Sequence, residues 1–229
     1  MPFWQNDPEF DTPEKRGAII SQAVRKQYEM IQKEVTDPVC CMALYGELVE
    51  LYQNGYIQVP DSVIKVWADN GNEKMVSRRQ GNENGRIPSL PDAKGKGLHG
   101  IYYHITFHYF YLQTSNHLTM TPQQPEIIVD EISEAFQKEA DDYLMLNCGN
   151  IRQHLYPLDM VSELWMNGTV EADRHLPTFI DRLYSAKRQE IVKLYRQYFE
   201  KAISYGFHED ERRVKSFITI MHGESLNIG

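Results

Sequence analysis

Residues Asp142 to Pro157 decide how the rest of the chain is interpreted. They read Asp-Tyr-Leu-Met-Leu-Asn-Cys-Gly-Asn-Ile-Arg-Gln-His-Leu-Tyr-Pro. The short apolar run from Tyr143 to Leu146, between two predicted helices, is typical of a strand buried on both faces of an α/β sheet. Polar side chains follow the run, namely Asn147, Asn150, Arg152 and His154. Because ligands bind at the carboxyl ends of strands in such sheets, these four are candidate binding residues. The alternative is that they only complete turns.

Two earlier stretches also predict strands that end in polar residues. Ser62 to Ala68 precedes Asp69 and Asn70, and Gly100 to Phe107 contains His104 near its end. A loop of about thirty residues separates the two stretches and carries Arg79. Long loops in compact domains are often functional, so Arg79 and, in the loop after the later strand, His117 join the candidates.

Helical spacing of apolar residues surrounds the three strands. Thr12-Pro13 and Asp37-Pro38 are predicted to start helices, the second carrying Leu44, Leu48, Leu51 and Tyr52 on one face. Thr121-Pro122 opens a third helix, and a single long amphipathic helix is predicted from His175 to Tyr205.

Strands alternating with helices predict a parallel α/β sheet. A closed β/α barrel needs eight strands and about 250 residues. We therefore expect a partial (β/α)-barrel-like sheet over residues 1–158, followed by a helical region over 159–229.

The composition excludes several classes of function. The net charge of −8 argues against nucleic acid, and no run of about 18 apolar residues is present that could span a membrane. Cys40, Cys41 and Cys148 fit neither a zinc motif nor a disulfide framework, so buried free thiols are expected. The N-terminus lacks the features of a signal peptide, which implies a cytoplasmic location if this terminus is native.

The candidate residues suit a polyhydroxylated ligand with a carboxylate. Asn offers a donor and an acceptor, and the fork of Arg152 or Arg79 binds a carboxylate in two places. No metal or cofactor is expected, because several His or carboxylates do not converge. Glycoside hydrolysis normally uses two carboxylates, and only Asp69 can be placed at a strand end. Glu73 and Asp92 lie farther along the loop, while Asp159 and Glu163 are interpreted as first-turn residues of a helix.

Four motifs carry a resemblance to a known family. They are Leu-Tyr-x-x-Gly-Tyr-x-x-Val-Pro-Asp (Leu51 to Asp61), Val-x-x-Val-Trp-x-Asp-Asn (Val63 to Asn70), Gly-x-Tyr-Tyr-His (Gly100 to His104), and Asn-x-Gly-x-Ile-Arg with Tyr-Pro-Leu-Asp (Asn147 to Asp159). Over most of residues 17–200 the chain resembles glycoside hydrolase family 115, the xylan α-glucuronidases.

The resemblance implies an inverting enzyme that releases α-1,2-linked glucuronic acid, often 4-O-methylated, from xylan. Family members are much longer, so this chain would be the central part of the barrel and the start of the helical domain. Asp69 and Asn70 match the family's acidic strand end, Tyr103 and His104 its Tyr-Tyr-His, and Asn147 the first Asn of its Asn-x-Gly-Asp. The expected partner is glucuronoxylan or an aldouronic acid, and a homodimer is a further expectation.

The chain also departs from the family pattern. Ala68, Asn150 and Leu155 stand where the family carries acidic residues. Two alternatives to an active hydrolase therefore stay open. One is a truncated or non-catalytic remnant that binds uronic acids. The other is a helical interaction protein built on residues 175–229.

Overall fold

The computed structural model describes residues 12–71, 73–77, 87–92, 96–107 and 124–202. The strands are β1 (Cys40–Leu44), β2 (Val63–Ala68), β3 (His99–His104) and β4 (Tyr143–Asn147). The helices are α1 (Pro13–Glu34), α2 (Glu47–Gln53), α3 (Pro125–Gln137), α4 (Leu155–Asn167), α5 (Ala172–Leu183) and α6 (Arg188–Glu200), with a 3-10 helix at Ile151–His154. The predicted α/β class is confirmed.

The strands form one parallel sheet in the order β1-β2-β3-β4. Cys40 pairs with Val63 in the first ladder, and Lys65 pairs with His99 in the second. Strands that are neighbours both in sequence and in the sheet, without a reversal of order, follow the winding of a β/α barrel rather than that of a doubly wound sheet.

Strand β1 was missed in the sequence, where Asp37-Pro38 is predicted to start a helix. The run Cys40–Leu44 is a strand, and the helix begins only at Glu47. Gly46, with a φ of 58°, separates the two. A five-residue apolar run fits both the two-residue period of a strand and the 3.6-residue period of a helix. The leucines of α2 continue the helical spacing of this run, which is why the sequence predicts one helix.

The prediction that the strand after Asp142 is buried on both faces is wrong. Strand β4 lies at the end of the strand order in the described part of the chain, and none of its residues is buried. Double-sided burial belongs to β2 instead, whose six residues are all buried. The cysteines are free, as expected, but none is buried: Cys41 is exposed and the other two are half-buried.

The single long helix predicted from His175 is two helices. α5 ends at Leu183, and α6 begins at Arg188 after Lys187, whose φ is 55°. Positions 203–205 lie outside the described residues, as do Thr121 and Pro122, the predicted start of α3.

Backbone contacts divide the chain into two compact units. Unit 1 comprises Met1–Asn70, Met75–Tyr102 and Gln137–Met145, and unit 2 comprises Gly71–Lys74, Tyr103–Phe136 and Leu146–Gly229. The units interleave along the chain. The boundary predicted after residue 158 falls inside α4, and the domain assignment stays a prediction.

Trp67 lies at the core of unit 1 and is almost fully buried. Its indole N–H donates to His99 Nδ1 at 3.1 Å, and its ring meets Tyr52 edge-on at 5.6 Å between ring centres. Thr12 caps the start of α1, and its hydroxyl accepts from the Lys15 N–H at 3.3 Å, as the Thr-Pro start predicts.

Tyr156 is the centre of the helical part of unit 2. Its ring lies 5.2 to 5.7 Å from the rings of four other side chains: His175, Phe179, Tyr195 and Phe199. These rings come from α5 and α6, so one aromatic residue of α4 joins all three helices. Among the described residues no helix is long and apolar enough to cross a membrane.

Candidate functional site

Asp69 and Asn70 follow β2 directly and belong to unit 1. Both are buried, with 1% and 2% of their surface exposed. The Asp69 backbone N–H donates to the Tyr102 carbonyl at 3.1 Å, which continues the ladder between β2 and β3 one residue past the strand. The two side chains are therefore carried by rigid backbone rather than by a free loop.

In unit 2, Tyr103 is the first of a group of residues at strand ends. Its side chain is fully buried, and its hydroxyl donates to the backbone carbonyl of Glu73 at 2.8 Å. Glu73 is itself fully buried. A phenol at the end of β3 thus anchors the short segment Gly71–Lys74 that follows β2 in sequence.

Glu73 also has an unusual backbone. Its φ is +62°, a left-handed conformation that costs an ordinary residue about 1–2 kcal/mol. Such conformations persist only where the surroundings hold them, and they occur often at functional sites. Here the Tyr103 hydrogen bond supplies one such restraint.

His104 closes β3 and is almost fully buried. Its ring meets the Phe107 ring edge-on, 5.0 Å between centres. Phe107 in turn covers Gly71: a Cβ at Gly71 would lie 2.9 Å from the Phe107 ring, and the φ of Gly71 is +80°. Glycine is therefore required at position 71, both for close contact and for conformation.

Asn147 ends β4 and is tied to the backbone that follows β3. Its carbonyl accepts from the N–H groups of Ile105 and Thr106 at 2.9 and 3.2 Å. The hydroxyl of Thr106 accepts from the Gly149 N–H at 2.6 Å. We call Glu73, Tyr103, His104, Phe107 and Asn147 the strand-end cluster. Its members all belong to unit 2.

The remaining predicted site residues have different environments. His154, at the end of the 3-10 helix, is buried, while Asn150 and Arg152 are exposed. Arg79 and His117 lie outside the described residues. Within the described part of the chain, no group of three or more potential metal ligands occurs.

Asp159 and Glu163 have a structural role between helices. Asp159 is the fifth residue of α4, so the first-turn interpretation is wrong for it and for Glu163. Asp159 Oδ2 lies 2.8 Å from Nε2 of the buried His175 and also binds Arg182. Glu163 approaches the same His175 nitrogen at 3.5 Å. Both carboxylates therefore join α4 to α5.

The burial of Glu73 is a feature that sequence reasoning missed. The sequence places it four residues after Asp69, in a polar loop, and loop carboxylates are usually exposed. Its carbonyl accepts a hydrogen bond from the hydroxyl of Tyr103, thirty residues later, and local composition contains no signal for such a long-range contact. Its acidic side chain so close to a strand end is the one available indication.

The strand-end cluster provides varied hydrogen-bonding groups, which are buried at Glu73, Tyr103 and His104 and half-buried at Asn147. A carboxylate, an imidazole and an amide are held by aromatic rings and backbone hydrogen bonds. Low local dielectric strengthens hydrogen bonds to such groups. Tyr198 lies within electrostatic range, since burial first and the Glu73 charge second raise the pKa of its phenol. The cluster is suited to orienting hydroxyl groups and transferring a proton.

Comparison with known proteins identifies the family. The profile described as "Glycosyl hydrolase family 115" matches residues 5–206. A similar solved structure is that of BtGH115A, described as a family 115 4-O-methyl-α-glucuronidase with specificity for decorated arabinogalactans. The TM-score is 0.65 at 20% sequence identity, and the match covers 82% of this chain.

The two chains differ greatly in length, because the match covers only 24% of BtGH115A. At this level of identity the structural likeness shows the fold alone. No curated protein is significantly similar to this chain. The family profile, however, spans nearly the whole sequence, and the chain therefore belongs to glycosyl hydrolase family 115.

Proposed function

We propose that the chain carries part of the active site of an inverting α-glucuronidase, which releases glucuronic acid or its 4-O-methyl ether from a polysaccharide. The observation that supports it most is the strand-end cluster. The Tyr-Tyr-His and Asn-x-Gly positions that resemble the family's motifs, Tyr103, His104 and Asn147, lie at the ends of β3 and β4, whose following loops are hydrogen-bonded together.

The proposal assigns a role to each candidate residue. Asp69 acts as an acid–base carboxylate or positions the attacking water. Arg152 or Arg79 binds the uronate carboxylate through a two-point contact. The hydroxyl groups of the sugar are bound by the remaining candidates, which are Asn70, Tyr103, His104, His117, Asn147, Asn150 and His154.

The polysaccharide that carries the glucuronic acid has two candidates. The family resemblance favours glucuronoxylan, whereas the described specificity of BtGH115A is for decorated arabinogalactans. Incubating the chain with both polymers and quantifying free glucuronic acid by chromatography distinguishes them. The glycosidic oxygen leaves in either case, so the choice of polymer does not alter the role of Asp69.

Asp69→Asn tests the catalytic assignment. The amide keeps the size of the side chain but can neither accept nor deliver the proton, so release of glucuronic acid from an aldouronic acid should fall at least about 100-fold. Asp37→Asn, at an exposed aspartate of the same unit, is the matched control and should retain activity. Undiminished turnover by Asp69→Asn would show that the assignment is wrong.

A non-catalytic uronic-acid-binding protein is the second candidate. It is favoured by Asn150 and Leu155, which replace acidic residues of the family pattern. Calorimetry with glucuronic acid separates the candidates: binding of the sugar without release of product from any glucuronide supports the second and excludes the first.

A further inference from the structure

A cleft in unit 1 has no role in the function proposed so far. It is bounded by the end of α2, the loop before β2 and the segment before β3, and all of its described lining residues belong to unit 1. None of the candidate site residues is among them. Its volume of about 300 Å³ is at the lower end of the roughly 300–1,000 Å³ found for small-ligand sites, which is room for about one sugar ring. We call this feature the unit 1 cleft.

The apolar wall of the unit 1 cleft is fixed by the core of unit 1. Ile57 and Trp67 line the cleft and are buried. The Trp67 indole is held by its hydrogen bond to His99 and by its edge-on contact with Tyr52. Tyr52 also lines the cleft but is only half-buried, so its ring offers aromatic surface against which the C–H groups of a sugar can pack.

Two glutamines of the lining are oriented by hydrogen bonds to the backbone. Gln53 Nε2 donates to the carbonyls of Pro88 and Leu90 at 2.9 and 3.2 Å. Gln58 Nε2 donates to the Gly55 carbonyl at 3.1 Å. Because these bonds use the amino side of each amide, both side chains keep the carbonyl oxygen as an acceptor for a ligand.

Charged groups complete the lining of the unit 1 cleft. Asp61, Asp92 and Lys96 all line it, so carboxylates outnumber ammonium groups by two to one. Both carboxylates lie near the aromatic wall: after burial, which is the largest cause, the charges of Asp61 and Asp92 raise the pKa of the Tyr52 phenol. The negative balance disfavours an anionic ligand such as a uronate, and Lys96 disfavours a small organic cation.

We propose that the unit 1 cleft binds a neutral, hydroxyl-rich ligand, namely an unsubstituted sugar residue of a polysaccharide. Sugar hydroxyls donate to the acceptor oxygens of Asp61, Asp92 and Gln58 and accept from Lys96, while the C–H face of the sugar ring packs on Tyr52. The inference goes beyond the proposed hydrolase function, because it concerns the main chain of the polymer rather than the glucuronic acid that is released.

A cleft that holds only water predicts a different result. It has no affinity for sugars, and substitutions in its lining leave sugar binding by the chain unchanged. A local readout is required, because an oligosaccharide can also bind at the candidate site residues described above. The side-chain amide groups of Gln53 and Gln58 provide this readout, since both lie in the lining.

The experiment follows the side-chain amide signals of Gln53 and Gln58 by NMR in the full 229-residue chain. The signals are assigned by their loss in Gln53→Ala and Gln58→Ala. The ligands are xylotetraose, a β-galactan tetrasaccharide and glucuronic acid. We expect both signals to shift with at least one of the neutral oligosaccharides and to stay in place with glucuronic acid. The two neutral ligands distinguish a xylan from an arabinogalactan as the source of the sugar.

Substitutions in the lining then test which groups hold the sugar. Asp61→Asn keeps the size of an exposed side chain but removes its charge, so the ligand concentration at half-saturation should rise at least about 5-fold. Gln58→Ala, also at an exposed position, should have a similar effect on the Gln53 signal. Asp37→Asn, at an exposed aspartate of unit 1 outside the cleft, is the matched control and should leave half-saturation unchanged.

The outcomes separate this inference from the proposed hydrolase function. Absence of shifts with both neutral oligosaccharides, or equal shifts with glucuronic acid, overturns it. So does a half-saturation that is unchanged in both Asp61→Asn and Gln58→Ala, whereas weaker binding in either variant supports the site. Release of glucuronic acid is measured separately, so either proposal can fail while the other holds.

Discussion

Gly17 shows how a single residue can be constrained by packing alone. It lies inside α1, where glycine is unfavourable, and a Cβ there would lie 2.6 Å from the carbonyl carbon of Tyr56. Nearby, the Ser21 hydroxyl donates to the Gly17 carbonyl and accepts from the Gln58 N–H, at 2.6 and 2.8 Å. The helix and the loop after α2 are therefore in backbone contact at this point.

Gly17→Ala should destabilise the protein by about 2 kcal/mol, because the clash is with backbone and overpacking typically costs about 1–3 kcal/mol. Helix propensity alone predicts the opposite, a gain of about 1 kcal/mol. Urea denaturation measures the change in the free energy of unfolding. Ala18→Gly, at the exposed neighbouring position, measures how much helix propensity alone contributes in the same helix. A higher unfolding midpoint for Gly17→Ala would contradict the close packing.

Single residues also show the limits of sequence reasoning about the site. Asp69 was identifiable because an acidic residue directly follows an apolar strand. The burial of Glu73 was not, because it arises from tertiary packing, of which the long-range hydrogen bond from Tyr103 is one part. Arg152 has the right chemistry for a uronate, but its exposed position could not be deduced from residue type.

At the level of elements, the aromatic contacts of α4, α5 and α6 predict sensitivity to alkali. Burial raises the pKa of Tyr156, followed in effect by the charge of Glu126. Burial also raises the pKa of Tyr195 to about 12, and the hydrogen bond that its hydroxyl makes to Tyr184 is the next largest cause. The folded state therefore keeps these phenols protonated at a pH where the unfolded chain releases the protons.

The direction in which stability changes with pH follows from proton binding. Above pH 10 the unfolded chain binds fewer protons than the folded chain, so stability falls as pH rises from about 10 toward 12 and is unaffected by these groups below 10. Tyr156→Phe removes one titrating group and should make this decline shallower. Urea midpoints at pH 8 and pH 11 for both proteins measure it. Equal declines in the two proteins would show that Tyr156 ionises as freely in the folded state as in the unfolded one.

Elements differ in how well their sequences predicted them. β2, with six buried residues, was recognised because its composition and its following turn agree. The sequence predicts β1 as part of the neighbouring helix, since its five apolar residues fit the period of a helix as well as that of a strand. The sequence predicts α5 and α6 as one helix, because the helical spacing of apolar residues continues across Tyr184. In the structure the backbone becomes extended at this residue. Strand order, which exposes β4, is a tertiary property that no local pattern contains.

At the scale of the whole molecule, the chain matches the family over residues 5–206, and its structural match covers only 24% of BtGH115A. Its strand order is consistent with part of a β/α barrel. Four described strands leave the sheet open, whereas a closed barrel needs eight. Activity of this chain by itself is therefore the central question for the proposed function.

One measurement tests that function most directly. The chain is mixed with an aldouronic acid, and the anomeric protons of the products are followed by NMR from the first minutes. Inversion at an α-linkage yields β-glucuronic acid first, with the α-anomer appearing only through mutarotation. We predict this order of appearance. Release of the α-anomer first, or no release of glucuronic acid at all, would contradict an inverting α-glucuronidase.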